Sequence, residues 1–175
     1  SSRGLGDVYK RQLMRRLYLI GAFVIAGLLF FITKDNLGGE DSRSFTNAVR
    51  PTALQIAGFA LGDDEPFLAV NLLTFKNKAE YADGRETNLS GKEAYAIYAD
   101  EVIDHLAKVG AEPILAGDVQ RLILGEVDEL WDVIAIVRYP SRKAMYKMAT
   151  NKEYMESEKH REAGLAGQLN IEIKD

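Results

Sequence analysis

The order of hydrophobic patterns along the chain predicts an α+β domain of ferredoxin-like βαββαβ arrangement, preceded by a single N-terminal transmembrane helix. Three observations carry this. Four strand-like stretches alternate with two capped helical stretches in the order β-α-β-β-α-β. Residues 17–32 run without a charge or a proline. The first strand is apolar on both faces, so its sheet needs cover on the side that two helices leave open. A chain of 175 residues, 47% hydrophobic and 27% charged, has room for one ordinary domain and an appendage.

The appendage comes first. Residues 1–12 read SSRGLGDVYKRQ, with no initiator Met, hydrophobic period or helix cap, and resemble a translated adaptor tail. Residues 1–13 are therefore set aside as non-native, with Met14 as the expected natural start. The run at 17–32 is a little under the ~20 apolar residues that usually span a bilayer, and Tyr18 and Thr33 extend what the membrane accepts. A cleaved signal would need small residues just past the apolar core, where the chain has Phe31, Ile32, Thr33, Lys34 and Asp35. Residues 14–33 are thus read as an uncleaved signal-anchor. Arg15 and Arg16 on its N-terminal flank stay in the cytoplasm by the positive-inside rule. The expected location is the bacterial inner membrane, single-pass, with the C-terminal domain on the periplasmic or extracytoplasmic side. The lipid bilayer is then a partner through residues 17–33. Residues 34–51 are polar and glycine-containing, a linker.

The domain is expected over 52–175. A short helix at 52–61 has Thr52 as N-cap, Leu54, Ile56, Ala57 and Ala60 as its apolar residues, and Gly62 at its end. The first strand, 67–75, places Phe67, Ala69, Leu73 and Phe75 on one face and Leu68, Val70 and Leu72 on the other, interrupted only by Asn71. Ser90 and Glu93 make a capping box that opens a helix to about Val109, with a stripe of Tyr95, Tyr98, Val102, Leu106 and Val109, ended by Gly110. Strand signals follow at 114–124 and 133–139. Pro140 and Ser141 then start a helix with Ala144, Met145 and Met148 inward. Asn151 recaps the chain for a further helix to about Ala163. The last strand alternates Leu169, Ile171 and Ile173 with Gln168, Asn170, Glu172 and Lys174. A second copy, sheet against sheet, is the economical cover for the open face, with the 52–61 helix as a rival.

Composition removes several function classes. The absence of cysteine excludes disulfides, thiol nucleophiles and Cys-ligated metals. Two histidines are too few for a multi-histidine centre, so no metal is expected. Net charge is +4 over residues 1–50 and −8 over 51–175. An acidic body with no basic stripe argues against nucleic acid. No phosphate loop, serine-nucleophile motif or HExxH is present, and no cofactor is implied.

The strings VNLLTFK (70–76), SGKEAY (90–95), RYPSR (138–142), EYM (153–155) and HREAGL (160–165), with Ala79, Tyr81, Asp83, Gly84 and Trp131 between them, resemble the domain of unknown function 1330 family. The resemblance spans roughly residues 52–174. It implies the dimeric α+β barrel superfamily, ferredoxin-like chains paired across their sheets as a homodimer, and it implies no reaction. Haem-degrading relatives in that superfamily carry an Asn on the first strand, a Trp on the third and a His on the second helix. Asn71 and Trp131 match, whereas the second helix begins Ser141, Arg142, Lys143.

Asn71 is either a satisfied structural amide or a group that orients a ligand. Trp131 is core or platform. Arg138 beside Asp132 is an ion pair of the dimer or a carboxylate clamp. His105 is expected to be exposed one turn after Glu101, and His160 lies late in its helix, where a cation is favourable. Three readings follow. The first is an anchored dimer binding a small apolar or aromatic molecule in a pocket between sheet and helices, lined by Asn71, Phe75, Tyr95, Tyr98 and Trp131, with Arg138 as the possible clamp. The second is a cofactor-free enzyme on an aromatic or polyketide-like substrate, with His160 or Asn71 moving a proton. The third is a structural dimerisation module.

Overall fold

The computed structural model describes residues 45–174. The tail, the anchor at 14–33 and most of the linker lie outside the described residues. Among the described residues no helix is long and apolar enough to cross a membrane.

Helix starts fall where side-chain caps answer the orphan N–H groups of a first turn. Helix α1 (Ala53–Ala60) follows Thr52, whose capping box closes with Gln55. Strand β1 (Phe67–Phe75) leads to α2 (Gly91–Lys108), capped by Ser90, whose Oγ accepts from the Glu93 N–H while the Glu93 carboxylate accepts from the Ser90 N–H at 2.7 Å. Those bonds hold the Glu93 carboxyl below its ordinary range. Gly110, at φ 73, turns the chain out of α2 in a conformation glycine adopts without a Cβ penalty. Strands β2 (Glu112–Asp118) and β3 (Val133–Tyr139) follow. Helix α3 (Arg142–Ala149) starts from Ser141, and α4 (Lys152–Gly164) from Asn151, whose side-chain oxygen accepts from the Glu153 and Tyr154 N–H groups. Strand β4 (Leu165–Lys174) closes the fold. The strands pair antiparallel in the order β2-β3-β1-β4, which is the ferredoxin-like α+β fold.

Cross-strand partners share a sheet face, so register assigns the faces. Phe67 pairs with Tyr139, Ala69 with Val137, and Leu73 with Val133. Phe67, Ala69, Leu73 and Tyr139 are buried, and this face carries the helices. Phe67, Ala69 and Tyr139 pack with Tyr98, Leu106, Met148 and Tyr154 into the main core. Burying each large side chain contributes about 1.5–3 kcal/mol. The opposite face aligns Leu68 with Ile173, Val70 with Ile136 and Ile171, Leu72 with Ile134 and Leu169, and Leu115 with Ile136. None of these is buried, and Leu115, Ile171 and Ile173 are exposed.

The N-terminus of α2 crosses the C-terminus of α4 backbone to backbone. Lys76 N–H donates to the Gly164 carbonyl at 2.9 Å, and Gly91 N–H to the Lys76 carbonyl at 3.0 Å. A Cβ at Gly91 would overlap the carbonyl oxygens of Gly164 and Lys76.

Three expectations need correction. The second strand ends at Asp118, not near Leu124: Asp118 is the last residue opposite β3, so residues 119–132 form a loop whose Ile123 and Leu124 are 93% and 91% exposed. His105 is buried, because α2 packs on α4 as well as on the sheet; its Nε2 hydrogen-bonds the Ser157 hydroxyl at 3.2 Å, and its ring meets Tyr154 edge-on. Helix α1 does not cover the open sheet face. None of its residues is buried, and its contact with the core runs through Phe59 against Phe67, on the helix side.

Candidate functional site

An open hollow of about 560 Å³ lies where β1 ends, α2 begins and the 119–132 loop returns to β3. Phe75 and Trp131 supply its aromatic surface, and Lys76, Asn77, Ser90 and Lys92 supply donors. The returning loop is tied down by Asp132, whose carboxylate accepts from the Phe75 N–H at 2.7 Å and whose own N–H donates to the Leu73 carbonyl at 2.8 Å. Those two bonds fix the backbone beside Trp131. Both acids of the hollow are engaged, Asp132 in this way and Asp118 with Lys92 at 2.7 Å. The Lys92–Asp118 pair is more than half exposed, so it is weak and exchangeable.

Behind Phe75 the aromatic rings continue inward. Phase by phase, Phe75 meets Tyr95 at 5.2 Å between centroids, Tyr95 meets Tyr98 at 5.3 Å, and Tyr98 meets Tyr154 at 6.2 Å. The Tyr98 and Tyr154 hydroxyls are 3.2 Å apart and satisfy each other inside the core. Burial pushes the Tyr95 and Tyr98 hydroxyls well up and raises Tyr154 to about 12, keeping all three protonated at neutral pH.

The structure brings together two of the residues expected to line one pocket, Phe75 and Trp131, with Tyr95 behind the first. Tyr98 is core. Asn71 lies in the sheet: its Nδ2 donates to the Ala69 and Ala135 carbonyls at 3.3 Å each, and its Oδ1 accepts from Asn170 at 3.0 Å. Arg138 pairs across strands with Leu68 and Glu112, so it stands on the sheet face opposite the helices, its guanidinium 3.7 Å from the Glu112 carboxylate.

His160 belongs to a different place. Its Nδ1 is 2.7 Å from the Tyr81 hydroxyl, and the Arg85 guanidinium lies over the Tyr81 ring at 4.5 Å. Arg85 in turn holds the Asp83 carboxyl down to about 2. A second open groove, about 400 Å³, joins His160 and Arg85 to His105, Ser157, Lys108 and Glu153. Among the described residues no group of three or more His, Asp or Glu could hold a metal ion.

Residues 74–171 match the family model of the domain of unknown function 1330. The chain belongs to this family. A protein of unknown function from Rhodopseudomonas palustris is 30% identical, with a TM-score of 0.67 over 74% of this chain and 98% of that one. The methylated form of that protein gives 32% identity and the same TM-score over 75% of this chain and 96% of that one. A dimeric protein of unknown function and ferredoxin-like fold from Bacteroides fragilis aligns at 13% identity and a TM-score of 0.40, over 63% of this chain and 96% of that one, a likeness too slight to argue from. No curated protein matches. The lining of the hollow, from Phe75 to Asp132, falls inside the matched segment.

Sequence reasoning missed the lysines of the hollow and the Tyr81–His160 pair. Lys76 and Tyr81 stand among the residues of the family resemblance, but nothing in their spacing says which hollow they face. It also missed the segment at 45–50, the last part of the stretch read as linker. Ala48 forms a bridge with Gln168 on the free edge of β4, and Arg50 pairs with Glu162 at 2.6 Å.

Proposed function

We propose that this member of the domain of unknown function 1330 family is an exported, membrane-anchored homodimer. Each copy binds a small aromatic molecule carrying an acidic group in the hollow between β1, α2 and the loop before β3. The observation that carries the reading is the pairing of Phe75 and Trp131 on one open hollow with Lys76 and Lys92 on its wall. Aromatic surface with a few convergent polar groups is what a small-molecule site needs. Both ammonium groups are held in ion pairs with exposed carboxylates, Lys92 with Asp118 at 2.7 Å and Lys76 with Glu80 at 2.9 Å, and such pairs are weak enough for a ligand that brings its own carboxylate to exchange into them. Homodimer formation is supported by the uncovered aliphatic face of the sheet, and the anchor by the uncharged run at 17–32.

The hollow is tested by fluorescence. Trp131 is the single tryptophan of the chain, so its emission reports on the hollow alone. Small aromatic carboxylates should quench it saturably, and Lys76→Gln combined with Lys92→Gln should weaken them far more than their uncharged amides. Emission indifferent to a panel of such compounds would end the reading. The enzyme reading rests on the 2.7 Å Tyr81–His160 contact. His160 lines the other groove, where it is not joined to Asn71 or to the aromatic hollow.

A further inference from the structure

We propose that residues 45–50, outside the matched family segment, are part of the binding site, with Asn47 and Phe45 as positioning residues that hold the Trp131 ring as a wall of the hollow. The proposal rests on the reading that the hollow binds an aromatic ligand.

Trp131 sits on a loop, just before β3, and the Asp132 bonds fix its backbone without fixing its ring. An indole N–H that is half buried needs an acceptor. The acceptor is Asn47: Trp131 Nε1 donates to Asn47 Oδ1 at 3.0 Å. The ring is also flanked by Phe45, centroid to centroid 5.3 Å and tilted. Two contacts from one short segment thus set the orientation of the indole.

The segment is itself held. Ala48 and Gln168 exchange two backbone hydrogen bonds of 3.0 Å, which adds the segment to the edge of β4. The Val49 carbonyl accepts from the Arg161 guanidinium at 2.9 Å, and Arg161 is buried. Arg50 closes on Glu162. Gly167 makes the approach possible, because a Cβ there would lie 2.7 Å from the Asn47 Cβ. The edge of β4 thus has a gap at the residue where Asn47 passes, and the residues around it are bonded to it in succession.

The consequence concerns affinity. A displaced segment leaves the indole without its acceptor and its flanking ring, so Trp131 samples several rotamers and the ligand must order it on binding. Asn47 therefore contributes to binding without touching the ligand.

The experiment uses the full chain in mild detergent, with para-nitrobenzoate as the probe. Asn47→Leu removes the acceptor at similar size, Asn47→Asp keeps one, and Phe45→Ala removes the flanking ring. The expected result for Asn47→Leu is Trp131 emission shifted to the red, greater acrylamide quenching, and para-nitrobenzoate bound ~5- to 10-fold more weakly, the worth of about one hydrogen bond. Asn47→Asp should restore all three readouts, and Phe45→Ala should repeat the loss in part. Emission and quenching unchanged in both Asn47→Leu and Phe45→Ala would overturn the proposal, as would Asn47→Asp behaving like Asn47→Leu. If the unmodified chain ignores para-nitrobenzoate, the ligand reading fails by itself, and the emission and quenching comparison still decides whether the segment holds Trp131.

Discussion

An amide in the middle of an apolar strand costs free energy unless its donors and acceptor are answered, and at Asn71 they are answered within the sheet, by Ala69, Ala135 and Asn170. Sequence alone left structural and ligand-orienting roles open. The bond pattern now sets the expected outcome: Asn71→Leu removes three side-chain bonds, each worth ~0.5–1.5 kcal/mol net, and should cost ~1–3 kcal/mol in denaturant unfolding. An unchanged midpoint would mean that these bonds contribute nothing net. The buried tyrosines give a second residue-scale expectation, in pH. Burial raises Tyr98 well above its ordinary value and Tyr154 to about 12, and moves Tyr95 and Tyr139 the same way. In an unfolded chain all four ionise near ~10. Above that pH the folded chain holds more protons than the unfolded one, so the stabilising contribution is intact below pH ~10 and is lost as pH rises toward and through 12. Tyrosinate absorbance from these four should appear together with loss of the helical signal. Their ionisation in a chain that stays folded would contradict the burial.

Helices and strands were legible wherever the signal is local. Ser90 with Glu93, Ser141 and Asn151 each cap the helix they announce, and β1 and β3 run as their apolar patterns read. The end of β2 was not legible, because Leu122, Ile123 and Leu124 look like strand and only the extent of β3 decides that they lack a partner. His105 was misread for a related reason: helix periodicity names the face toward the sheet, while the second buried face exists only through packing on α4. The contact of Asn47 with Trp131 joins residues far apart in sequence with no pattern to connect them. Where α2 meets α4, glycine is a requirement of geometry. Gly91→Ala or Gly164→Ala should unfold the domain or cost several kcal/mol, because the new Cβ meets backbone, which cannot rotate away. Gly58→Ala, inside α1 with nothing within 4 Å, should be neutral or gain up to ~1 kcal/mol. Denaturant midpoints of the three variants decide it, and a mild Gly91→Ala would show that the helices can separate without loss.

At the scale of the whole molecule, the open face of the sheet decides the assembly. Leu68, Val70, Leu72, Ile134, Ile136, Leu169, Ile171 and Ile173 align across three strands on the face that, among the described residues, carries no helix. A monomer that kept them in water would forgo burial worth about 25 cal/mol per Å² of apolar surface. Helix α1 is also exposed and aliphatic, with Leu54 63% exposed, so two surfaces compete for the role of interface. The sheet face is the stronger candidate, because a flat aliphatic face meets a second copy of itself about a two-fold axis without leaving polar backbone unpaired. Its one interior charge, Arg138, has Glu112 beside it on the neighbouring strand. Val70, in the central strand between Ile136 and Ile171, is where a carboxylate would do most harm to that packing. The chain should sediment as a dimer, Val70→Glu should sediment as a monomer or fail to accumulate, and Ile56→Glu on α1 should leave the dimer intact. If Ile56→Glu dissociates the pair while Val70→Glu does not, the copies meet through α1, and the aliphatic sheet face must be covered by something other than a second copy of the chain.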